Sequence, residues 1–135
     1  MKYTYSRRTV RMASGAFCPT QETAQLLDEI ERLRYGKEPA RPKAIDEARS
    51  LLSGVQCRIP EADAFEINQG VQVVWCEGNL HVRLFCSGLG TGSYIYKAIT
   101  ENNRIAFSEI IQDPNEKTLE SLLRELAADQ PLLFA

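Results

Sequence analysis

The sequence predicts an α+β domain in two layers: two N-terminal helices, an antiparallel four- to five-stranded meander and a C-terminal helix. Three observations carry that prediction. Apolar residues recur at helical spacing near both ends of the chain. Between Ala64 and Ile110 they follow strand-like patterns broken by turn residues such as Gly78-Asn79 and Asn102-Asn103. The 135 residues, 44% hydrophobic and 25% charged, show no repeat or dividing linker and suit one ordinary globular domain. Residues 18–135 are therefore expected to form that single domain, preceded by a basic arm or edge strand over residues 1–17.

The first helix is read from PTQETAQLLDEIERLRYG. Thr20 is a candidate N-cap, or Pro19 takes the first helical position. Leu26, Leu27, Ile30, Leu33 and Arg34 form one stripe with an amphipathic edge, and Gly36 is placed to end the helix in a left-handed conformation. Pro42 opens a second helix with Ala44 or Ile45, Ala48, Leu51 and Leu52 inward, and Gly54 closes it. In the last helix, DPNEKTLESLLRELAA, Asp113 is read as N-cap, Pro114 as the first position and Glu116 as the partner in a capping box. Leu119, Leu122, Leu123 and Leu126 then face the sheet.

The densest chemistry lies in VWCEGNLHVRLFCSGLGTGSYIY, residues 74–96. Gly78-Asn79 suits a two-residue hairpin turn, which pairs Glu77 with Leu80, Cys76 with His81, Trp75 with Val82, Val74 with Arg83 and Val73 with Leu84. Side chains alternate between the faces of a strand. Val71, Val73, Trp75, Leu80, Val82, Leu84 and Cys86 then share the core face, and Gln72, Val74, Cys76, His81, Arg83 and Phe85 share the other. The preceding strand, Ala64–Ile67, is expected to join through a three-residue Asn68-Gln69-Gly70 loop, with Gly70 left-handed and Phe65 and Ile67 inward. The last hairpin turns at Asn102-Asn103, and its two strands are apolar on both faces.

That parity weighs on the chemistry. Cys76, His81 and Cys86 have the spacing of a zinc set, yet Cys86 falls on the opposite face, and zinc wants four converging ligands. No metal or other cofactor is assigned. Gly88, Gly90 and Gly92 suggest a phosphate cradle, but such loops lead into helices, whereas SYIYKAIT reads as a strand. A strand-to-strand loop is expected there. His81 is the one histidine, and a Cys76–His81 dyad lacks any evident oxyanion hole or cleft. No catalytic residue is assigned.

The formal charge is −2, and the first 17 residues hold four bases and no acid, which leaves −6 on the remainder. Arg7, Arg8 and Arg11, interleaved with Tyr3 and Tyr5, are candidate nucleic-acid contacts. The alternating KYTYS equally suits an edge strand guarded by basic side chains. QPLLFA is an apolar tail suited to packing or docking. No segment has the apolar length of a membrane span or a secretory signal, so no membrane partner is expected and the chain is read as cytoplasmic. Cys18, Cys57, Cys76 and Cys86 include no C-x-x-C pair and are read as reduced thiols.

The functional expectation is a small interaction or regulatory module without catalysis, associating with itself or another protein. Its candidate surface is Val74, Cys76, His81, Arg83 and Phe85, a face too apolar for solvent and too polar for a core. Antitoxins, immunity proteins and adaptors share this scale, which is analogy alone. The alternatives are a nucleic-acid-associated regulator using the arm, and a small-molecule binder or enzyme using the Cys76/His81 face.

Overall fold

The structure is a computed structural model and describes residues 21–128. Helices α1 (Gln21–Arg32) and α2 (Pro42–Ser53) precede strands β1 (Asp63–Ile67), β2 (Gly70–Glu77), β3 (Leu80–Cys86), β4 (Tyr94–Glu101) and β5 (Arg104–Gln112), and helix α3 (Glu116–Ala128) follows. The strands form one antiparallel sheet in the order β1-β2-β3-β4-β5. This is the α+β meander that the patterning predicts. The basic arm, Cys18, the Thr20 cap and the QPLLFA tail lie outside the described residues.

The helical stripes become one side of the core. Leu26 and Ile30 of α1 are buried and Leu27 and Leu33 half-buried. The N–H groups of Leu33, Arg34 and Tyr35 donate to carbonyls three residues back, tightening the last turn before Gly36 at φ 110°. Pro42 stands in the first turn of α2, and Ala44, Ile45, Ala48, Leu51 and Leu52 are all buried. Glu31 bridges the two helices, accepting from Arg34 and from Arg49 at 2.6 Å each. Helix α3 buries Leu119, Leu122, Leu123 and Leu126. Each such leucine contributes about 2 kcal/mol of transfer free energy.

Against these sit Val71, Val73, Trp75, Leu80, Val82, Leu84, Cys86 and Ile95. Trp75 is fully buried, and its indole N–H donates to the Pro60 carbonyl at 3.1 Å, so its one polar atom is satisfied. The β2–β3 register is the expected one, Trp75 opposite Val82 and Cys76 opposite His81. Of the two turn residues, Gly78 alone has positive φ, the pattern of a type II′ turn.

The β1–β2 connection differs from the sequence expectation. Ile67 pairs with Gly70 and Phe65 with Gln72, so the turn has two residues, Asn68 and Gln69, at φ 53° and 67°. Positive φ at both central positions matches the right-handed twist of a hairpin. Gly70 is required for space instead: a β-carbon there would stand 2.7 Å from the Cys86 carbonyl oxygen. Arg41, just before α2, fastens this turn. Its N–H donates to the Gln69 carbonyl at 2.7 Å, and its guanidinium reaches the carbonyls of Asn68 at 3.4 Å and Ser87 at 3.1 Å. Phe65 and Ile67 consequently leave the core and stand 40% and 37% exposed on the other face.

The cap of α3 also differs. Asn115, not Asp113, accepts the Thr118 N–H on its side-chain oxygen at 2.9 Å. Asp113 takes φ 49° at the exit from β5, two residues too early to cap. An Asx side chain caps the helix as expected, but two residues later, which leaves Pro114 before the helix and Glu116 at its first position.

Candidate interaction face

The helices cover one side of the sheet. On the other, strand alternation places Phe65 and Ile67 of β1, Val74 and Cys76 of β2, His81, Arg83 and Phe85 of β3, Tyr94 and Tyr96 of β4, and Ser108 and Ile110 of β5. All five residues singled out from sequence share this face. Val74 lies opposite Arg83, Cys76 opposite His81, and Phe85 opposite Gln72.

Contacts across the strands give the face its order. The Phe85 and Tyr94 rings are tilted at 34° with centroids 5.4 Å apart. The Arg83 guanidinium stands 5.4 Å from the centre of the Tyr96 ring, within cation–π range. Cys76 Sγ lies 4.0 Å from His81 Nε2, with the thiol exposed. Val74, His81, Phe85, Tyr94 and Tyr96 are half-buried by their neighbours, and Ile110 is 57% exposed. Among the described residues, no helix packs on this side.

The sequence reading missed Phe65, Tyr94, Tyr96 and Ile110. The turn length misplaced Phe65. Tyr94 and Tyr96 stand across from Phe85 and Arg83, so extending the hairpin parity into β4 finds them. A register shift between Ile99 and Thr100 breaks the alternation of the last hairpin and hides Ile110.

The other candidate chemistries are dispersed by the same geometry. Cys86 is buried on the helical side, away from Cys76 and His81, and burial pushes its thiol well above the usual range. Burial raises the Cys57 thiol as well. Asp63 and Glu77 line one shallow depression of ≈300 Å³ with Glu61, Val74 and Cys76. The 87–93 loop closes on itself: Ser87 N–H donates to Ser93 Oγ at 3.0 Å, and Leu89 N–H to Ser87 Oγ at 3.1 Å. Gly88 N–H points at the Glu47 carboxylate at 3.4 Å, where an anion would meet like charge. It is a strand-to-strand loop, between β3 and β4. Arg7, Arg8 and Arg11 lie outside the described residues. No helix among the described residues is long and apolar enough to cross a membrane.

The chain matches no protein-family model, no curated protein and no solved structure.

Proposed function

We propose that the protein is a small interaction module without catalysis, which associates with a second copy of itself through the side of the sheet that the helices leave bare. One observation carries this reading. A continuous face of large side chains, Phe65, Val74, Phe85, Tyr94, Tyr96 and Ile110, runs across the sheet with Arg83 and His81 among them. Aromatic residues and arginine are the types enriched where protein surfaces meet. A solvated face of an antiparallel sheet is ordinarily polar at alternate positions. This one is not.

The test is sedimentation velocity on the untagged full chain across a micromolar concentration series. A species at a multiple of the chain mass, dissociating on dilution, is the expected result. A bare monomer at every concentration would overturn the reading.

A further inference from the structure

Cys76 and His81 stand directly opposite each other on β2 and β3, and the exposed Cys76 Sγ lies 4.0 Å from His81 Nε2. A tetrahedral zinc ion with ordinary bonds to sulfur and nitrogen holds those two atoms about 3.6 Å apart. The pair is therefore close to the spacing that one ion requires. Thiolate and imidazole favour zinc over calcium or magnesium. Asp63 and Glu77 line the depression beside Cys76, and their charge favours a cation there. Zinc takes four ligands, however, and among the described residues no three metal-ligating side chains gather within one chain. Cys86 is buried on the helical side and cannot join them. The remaining ligands have to come from outside the chain.

Resting on the self-association proposed above, we infer that this pair is half of a zinc site, completed by Cys76 and His81 of a second copy. A two-fold axis between the facing sheets, parallel to β2 and β3 and midway between them, sets Cys76 over the partner's His81 and His81 over the partner's Cys76. Sheets packed face to face stand about 10 Å apart, a gap that side chains reaching from both can close around an ion. The same axis matches the rest of the face, because each row across β1–β4 then lies over its own reverse. Phe65 comes over the partner's Tyr94, and Phe85 over the partner's Gln72. Asp63 comes beside the partner's Arg83, carboxylate beside guanidinium. An axis across the strands at the same pair would set Val74 over the turn at Gly78-Asn79 and leave Phe85 uncovered. As the ion binds, each Cys76 thiol gives its proton to solvent and its sulfur takes the metal.

The test uses the full chain carrying Cys18→Ser, which removes the thiol outside the described residues. Cobalt(II), whose absorption reports tetrahedral thiolate ligation, is titrated in as the probe. Its thiolate band is expected to saturate at one ion per two chains and to vanish when zinc is added. Cys76→Ser is expected to lose the band, and His81→Gln to weaken cobalt binding, with circular dichroism unchanged in both. Sedimentation in zinc and then in excess chelator is expected to show the dimer weaken about tenfold where free zinc had stood at ten times its dissociation constant. A chain equally dimeric in zinc and in chelator, with no thiolate band, overturns the zinc site and leaves the face-to-face association standing. A band that saturates at one ion per chain, or survives Cys76→Ser, overturns the shared site as well. A chain monomeric with and without zinc overturns the site and the reading together.

Discussion

Asn115 holds the start of α3 through a single side-chain oxygen, which accepts the Thr118 N–H at 2.9 Å. Asn115→Ala should therefore lower stability by about 1 kcal/mol, the usual cost of losing an Asx cap. Asp113→Gly should cost none, because φ 49° is a conformation glycine takes freely. Urea-unfolding midpoints check the pair, and a loss confined to the Asp113 variant would restore that residue as the cap. The sequence pattern pointed to Asp113 because Pro114 and Glu116 fit behind it, and it passed over Asn115. Which of them caps depends on where the last strand releases the chain, and that is a tertiary matter.

At the scale of elements, α1 and α2 are joined through Glu31. The Arg34 guanidinium first, and Arg49 after it, hold the Glu31 carboxyl down at about 2. A depressed carboxyl stabilises the fold above its unfolded value near 4.5, and that contribution is lost as pH falls toward 2. Glu31→Gln should lower the unfolding midpoint at neutral pH, and its difference from the unmodified chain should fade across that acidic interval. A pH-independent difference would mean that the ion pairs contribute nothing. Glu120 repeats the device on α3, held low by the Gln56 N–H and then by Arg124.

Parity made the β2–β3 hairpin legible, since only one register puts Trp75, Val82 and Leu84 together. The β1–β2 register was not legible by the same rule. It assumed that Phe65 and Ile67 belong inside, whereas the bare face is apolar enough to take them. The β4–β5 pair resisted for a different reason, the register shift that breaks its alternation after Ile99. Of the candidate face, the hairpin residues could be read, and the aromatic flanks on β1 and β4 needed the full sheet.

For the whole molecule, the helical layer and the sheet bury one continuous core, from Leu26 and Ile30 through Trp75 to Leu126. Among the described residues, Phe65 and Ile67 stand exposed on the bare face, and Ile105, Phe107 and Ile110 along β5. Association through the bare face buries Phe85 at the seam, and a carboxylate there opposes it. Sedimentation of the full chain beside its Phe85→Asp variant therefore tests the proposed self-association most directly. The unmodified chain should sediment at a multiple of the chain mass, and Phe85→Asp as a folded monomer with unchanged circular dichroism. A Phe85→Asp variant that keeps the multimer would contradict it.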